Sequence, residues 1–175
     1  APMLRDGLDV FTPSHRRVPP ESLDPNIKSH NYLNLVMADL EIRDRAAHAW
    51  AMLLDTRGFV SEGIGSNVFF VKDGELLTPK ADYVLPGVSR AVVLELAAAE
   101  GVAAHEVDIS PEKARSADEA FITSTSFCIC PVRSYDEARL DKTGIPGPIT
   151  RRLIDAFAEE AQFDFVGQYL DALTK

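Results

Sequence analysis

The segment Val68 to Pro79, VFFVKDGELLTP, has few ways to fold. Val68 to Val71 reads as a strand of β-branched and aromatic residues. Asp73-Gly74 is the residue pair that a two-residue hairpin turn requires, because both central positions of that turn take positive φ. Glu75 to Thr78 then returns antiparallel, and Pro79, which has no amide to donate, ends the pairing. Any fold proposed for this chain must contain that hairpin.

The other elements are read around it. Leu8 to Val18 alternates loosely, as a strand leading into the extended loop that holds Pro19, Pro20 and Pro25. In Asn31 to Arg45, Leu33, Val36, Met37 and Leu40 recur at helical spacing, so they are expected to form the buried face, with Asp39, Glu41, Arg43 and Asp44 opposite. Trp50 to Leu54 reads as a short strand, followed by a turn at Asp55 to Gly58. A helix is expected over Ser89 to Glu100, with Gly101 at its C-terminal end. Val102 to Ile109 reads as a strand, and Ser110-Pro111 starts a short helix. Ala120 to Thr123 and Ile129 to Tyr135 read as strands. Thr150 to Ala161 reads as a helix, and Phe163 to Leu173 as a further turn or two. Strands and helices mix without strict alternation, which indicates an α+β domain with a mixed or antiparallel sheet.

Composition removes several function classes. A formal net charge of -9 over 175 residues argues against a nucleic-acid partner, since phosphate backbones need basic surface. No apolar run reaches the roughly 18 residues of a membrane-spanning helix, and Ala1 to Val10 lacks the apolar core of a signal peptide. A cytoplasmic location is expected. Cys128 and Cys130, two apart on a strand, point to one face and suit neither a disulfide nor a zinc site, so buried or half-buried free thiols are expected. His15, His30, His48 and His105 have no metal-ligand spacing, and Gly63-Ile64-Gly65 lacks the third glycine of a dinucleotide fingerprint.

Four short segments carry the chemistry: IKSHNYLN around Lys28, VSEGIGSN around Glu62, LPGVSR from Leu85 to Arg90, and TSTSF from Thr123 to Phe127. A lone lysine or glutamate is usually a solvated surface residue. In this order and at these distances, however, the segments resemble the class IV, fold-type IV aminotransferases that use pyridoxal 5'-phosphate. That family includes branched-chain and D-amino-acid aminotransferases, (R)-amine transaminases and aminodeoxychorismate lyase. The resemblance runs from about Arg17 to Thr150.

The resemblance implies a pseudo-barrel sheet with surrounding helices, the large cofactor domain of the D-amino-acid aminotransferase-like fold. Residues 1–25 would form an interdomain segment with a leading strand, and residues 26–175 the cofactor-binding domain. It also implies a smaller N-terminal domain that this chain does not include. The start at Ala1 in place of an initiator methionine agrees with an incomplete chain. Lys28 would carry the cofactor aldehyde and move a proton at the substrate, which requires a neutral amine in a partly buried position. Tyr32 would bond the cofactor's phenolate oxygen, although branched-chain enzymes usually have this tyrosine one residue farther along. Glu62 would sit against the pyridine nitrogen, with Asn67 supporting its loop. Gly87, Val88 and Ser89 would offer a helix N-terminus to the phosphate, with Leu85 against the ring. Thr125 would add a phosphate ligand, and Ser126 and Phe127 would line the substrate pocket.

The implied reaction is transfer of an amino group between an amino acid or amine and a 2-oxo acid, in a homodimer or higher homo-oligomer. An aminodeoxychorismate-type lyase releasing pyruvate, or an inactive cofactor-domain fragment, are the alternatives.

Overall fold

A computed structural model describes residues 3–46 and 48–173. The order is α1 (Met3–Asp6), β1 (Leu8–Phe11), α2 (Leu33–Ile42), β2 (Ala49–Leu54), β3 (Val60–Gly63), β4 (Asn67–Lys72), β5 (Glu75–Thr78), α3 (Val88–Ala99), β6 (Ala104–Glu106), α4 (Pro111–Arg115), β7 (Glu119–Ser124), β8 (Cys128–Tyr135), β9 (Ala138–Arg139), α5 (Pro148–Glu160) and α6 (Phe165–Leu173). The strands form one mixed sheet in the order β3-β2-β1-β8-β7-β4-β5-β6, with β9 alongside β8. β1 runs parallel to both β2 and β8, and β5 runs parallel to β6; the remaining neighbours are antiparallel.

This order explains the curl. β3 and β4 are separated in the sheet by β2, β1, β8 and β7, yet only Ile64, Gly65 and Ser66 join them in sequence. The Gly63 amide donates to the Ser66 carbonyl at 2.9 Å, closing that turn. The sheet must therefore bend round until its β3 and β4 sides meet, which gives the half-barrel. Gly63 is required here, because a Cβ would lie 2.5 Å from Ser66 Oγ and 2.7 Å from Trp50 Nε1.

The hairpin forms as the sequence dictates. Asp73 and Gly74 have φ of 52° and 84°, and Val71 pairs with Leu76 across it. The main core lies inside the curl and under α3 and α5, with Phe69 and Phe121 stacked at 5.0 Å between ring centroids. On β2, alternate residues face opposite ways. Met52 and Leu54 enter the main core, whereas Ala51 and Leu53 join Phe11 in a second cluster under α2.

α2 departs from the expectation set by its spacing. Leu35, Ala38 and Ile42 are buried against β2, while Leu33, Val36, Met37 and Leu40 are exposed. Two apolar stripes run along this helix, and the sheet takes the one with the small alanine, which allows close approach. The expected strands Leu8 to Val18 and Val102 to Ile109 shrink to β1 and β6. Beyond Phe11, Thr12 turns to Asp136, its amide donating to Oδ1 at 2.7 Å, and only an isolated bridge from Arg16 to Leu54 resumes the pairing. Cys128 and Cys130 are free thiols, half-buried and buried, and burial pushes Cys130 up to about 12. No helix among the described residues is long and apolar enough to cross a membrane.

Candidate active site

The closed end of the curl is a cavity of about 280 Å³. β3 brings Glu62 to its floor, β4 brings Asn67, the loop before α3 brings Leu85 to Ser89, the end of β7 brings Thr123 to Thr125, and the loop before α2 brings Lys28 and Tyr32.

Glu62 is 5% exposed, and each of its oxygens accepts one hydrogen bond from the protein. Its Oε1 accepts from Arg17 Nε at 2.6 Å and its Oε2 from the Leu85 amide at 2.9 Å. Burial pushes this carboxyl above its ordinary value, opposed by the charge and hydrogen bond of Arg17, by the Leu85 amide, and by the charge of Lys28. The same Leu85 is held from β4, where Asn67 Nδ2 donates to its carbonyl at 2.8 Å. Next to Glu62, Ser61 Oγ donates to the Tyr83 carbonyl at 2.7 Å. Strands β3 and β4 thus grip the loop in front of α3 at three points; Asn67, expected to support the loop of Glu62, bonds this loop instead. Gly87 fits because a Cβ there would lie 2.4 Å from Asn67 Oδ1.

Gly87 is the N-cap of α3 and makes no side-chain cap bond. The helix's own bonding begins with the Ala91 amide donating to the Gly87 carbonyl at 3.0 Å. The amides of Val88 and Ser89 precede that bond, at the positive end of the helix dipole, where they suit an anion. Thr123 is 1% exposed, and its hydroxyl has no hydrogen-bond partner among the described residues. Thr125, on the same strand end, is exposed to the cavity.

Lys28 lies on the cavity wall but is exposed, not partly buried as its role suggested. The chain there runs in tight turns, with the Ile27 amide bonded to Asp24 O and the Ser29 amide to Ile27 O. His30 beside it holds φ at 60°. Tyr32 caps α2 by position, is half-buried, and lines the cavity.

Two expected residues fall outside the lining. Ser126 is exposed, and its amide turns back to Ser124 Oγ at 3.2 Å. Phe127 is buried in the main core, edge-on to Trp50 at 5.8 Å. The strand end reverses after Thr125 and drives the large ring into the core. Arg17 was not singled out from sequence. The signal was available: a buried carboxylate needs a cation, and the Arg16-Arg17 pair stands just ahead of the proline loop.

Comparison with known proteins places the chain in a family. Residues 1–135 match the family described as amino-transferase class IV. The branched-chain-amino-acid aminotransferase of Escherichia coli strain K12 is 36% identical over 159 residues, covering 90% of this chain and 51% of that protein. The branched-chain-amino-acid aminotransferase-like protein 2 of Arabidopsis thaliana is 40% identical over 151 residues, covering 86% of this chain and 27% of that protein. Among solved structures, the Escherichia coli branched-chain amino acid aminotransferase superposes with a TM-score of 0.84 at 36% identity, covering 90% of this chain and 52% of that one. The corresponding enzyme of Thermobaculum terrenum in its PLP-form superposes with a TM-score of 0.83 at 35% identity, covering 91% and 51%. The chain spans about half the length of these solved enzymes. With its sequence, its curled sheet and its cavity in agreement, this chain belongs to the class IV aminotransferase family.

Proposed function

We propose that the chain is the cofactor-binding part of a pyridoxal 5'-phosphate-dependent aminotransferase that moves an amino group between an amino acid or amine and a 2-oxo acid. The observation that carries this reading is the convergence of Lys28, Glu62, the N-terminus of α3 and Thr125 on one cavity. The residues fit the cofactor. The cavity volume of about 280 Å³ lies near the lower end of ligand pockets, at roughly 300 Å³. A Cβ at Gly87 would meet Asn67 Oδ1, so the loop before α3 keeps its close path beside the cavity, and Thr123, whose buried hydroxyl has no partner among the described residues, lines the same cavity.

When bound, the cofactor supplies an electron-accepting ring and an aldehyde carbon at which amino groups are exchanged. The chain's residues do the rest. Glu62 would hold a proton at the ring nitrogen, with Leu85 on the side of the ring. Tyr32 would donate to the ring's oxygen substituent. The amides of Val88 and Ser89 and the hydroxyl of Thr125 would bind the phosphate. Lys28 Nζ would hold the cofactor and, once the donor's amino group has displaced it, would be the free amine that takes a proton from the substrate's α-carbon and returns it at the neighbouring carbon.

The names of the relatives support branched-chain amino acids as donors. Because β1 lies inside the sheet, the unit we propose begins at α1 and not at residue 26. The exposed apolar face of α2 and the exposure of Lys28 support a second protein surface beside the cavity, supplied by a further domain or by a second copy in a homodimer. The proposed location is the cytoplasm.

Incubation of the protein with an amino donor, a 2-oxo acid and excess pyridoxal phosphate tests the reading. Stoichiometric exchange of the amino group supports it. Release of pyruvate without exchange would identify a lyase on the same residues. A chain that shows no cofactor absorbance would overturn the cofactor reading itself.

A further inference from the structure

Arg17 has no part in the roles assigned above, yet it makes the shortest contact to Glu62, at 2.6 Å. The two side chains are 12% and 7% exposed. An unpaired carboxyl buried to that degree takes up a proton, because the cavity wall solvates the charge poorly. The groups that oppose this at Glu62 are Arg17, from the connection between β1 and α2, the Leu85 amide, from the loop before α3, and Lys28, from the cavity mouth. Arg17 and Lys28 are the charged ones, and Lys28 is exposed.

Arg17 is also fixed independently of any ligand. Its amide donates to the Leu54 carbonyl at 2.8 Å, and Arg16 bridges to Leu54 on β2. From the other side, Asn34 of α2 donates to the Arg16 carbonyl at 2.9 Å. Glu41 of α2 accepts from the Ser14 amide at 2.6 Å and bonds the His15 ring at 2.7 Å. Residues 14 to 17 are therefore clamped between β2 and α2, and the guanidinium is aimed at Glu62 before anything enters the cavity.

We propose that Arg17 is a positioning residue that holds Glu62 as an oriented carboxylate, so that a heteroaromatic cation entering the cavity meets a fixed negative charge. The ion pair stands on the geometry alone; its consequence for the ring nitrogen rests on the cofactor reading above. Arg17 acts through Glu62 and does not touch the reacting atoms.

The test is the titration of the Glu62 side-chain carboxyl by carbon-13 NMR in the ligand-free 175-residue chain, with Glu62→Gln identifying its resonance. The expected result is that the wild-type carboxyl is ionised at neutral pH. Arg17→Met moves its midpoint up by about 1 to 3 pH units, and Arg17→Lys restores most of the difference, which a purely structural role for the stem would not do. Pyridoxal phosphate binding, followed by absorbance, then becomes pH-dependent in Arg17→Met and weakens where Glu62 is protonated. A protonated Glu62 at neutral pH in the wild-type chain overturns the proposal without any variant, as does an unchanged midpoint in Arg17→Met. Failure of every form to bind pyridoxal phosphate counts against the cofactor reading, and the ligand-free titration decides this proposal separately.

Discussion

Glu119 on β7 closes the N-terminus of α5 through Thr150: its Oε2 accepts from the Thr150 amide at 2.8 Å and from the Thr150 hydroxyl at 2.7 Å. Its Oε1 accepts from the Ile149 amide at 3.1 Å, and all of this occurs at 5% exposure. A strand carboxylate thus does for α5 what its own N-cap, Gly147, cannot do. Glu119→Ala strands two amides and a hydroxyl in the interior and is expected to cost about 1.5–3 kcal/mol. Glu119→Gln, with the shape kept, is expected to cost less. Urea midpoints of the two variants check both the size and the order.

At the cavity, Lys28→Ala is expected to abolish covalent capture of the cofactor. Borohydride reduction of the wild-type chain with pyridoxal phosphate should place the label on the peptide that contains Lys28. Peptide mass spectrometry reads the site, and a label on Lys72 or Lys80 instead would remove Lys28 from its assigned role.

Glu62→Gln is expected to leave the fold intact and slow α-proton removal by at least about tenfold, since a neutral amide cannot keep the ring nitrogen protonated. The measurement is solvent deuterium exchange into the amino donor, alongside the far-ultraviolet circular dichroism spectrum. Wild-type exchange in Glu62→Gln would contradict the role.

Glu41 gives an acid limb to stability. Burial pushes its carboxyl up, but the Ser14 amide, the His15 ring and the Ser14 hydroxyl outweigh this and hold it at about 2, against an ordinary 4.5. Folding lowers this pKa, so the contribution is present above about 4.5 and is lost as the pH falls towards 2. The side chain is 34% exposed, so solvent screening reduces the effect. Glu41→Gln is expected to flatten the decline in urea midpoint across this window. A decline as steep as in the wild type would show that other carboxyls account for it.

The hairpin at Asp73-Gly74 was readable because local chemistry decides it: both residues must tolerate positive φ, and both do. The helices expected over Ser89 to Glu100 and Thr150 to Ala161 form as Val88–Ala99 and Pro148–Glu160, the first with Gly101 just past its end as expected. The buried face of α2 was not readable, because its sequence offers two apolar stripes and only the sheet beneath selects between them. The site was legible as a set of residue types in order, and most of them do line one cavity. What the sequence could not supply was direction. Phe127 follows a strand end that turns inward, and Arg17 reaches Glu62 only because the bridge from Arg16 to Leu54 brings the two segments together.

The position of β1 between β2 and β8 also governs when this domain can become complete. β1 is made well before one of its two neighbours, β8, which ends at Tyr135. Until then the side of β1 that later pairs with Val132, Ser134 and Tyr135 has open amides and carbonyls. The local hairpin of β4 and β5 can form early, whereas the seam beside β1 joins chain segments more than a hundred residues apart and must wait. An emerging chain thus carries an unpaired parallel edge while the segments between β1 and β8 are made, and this is the stretch during which it depends on being kept from other chains.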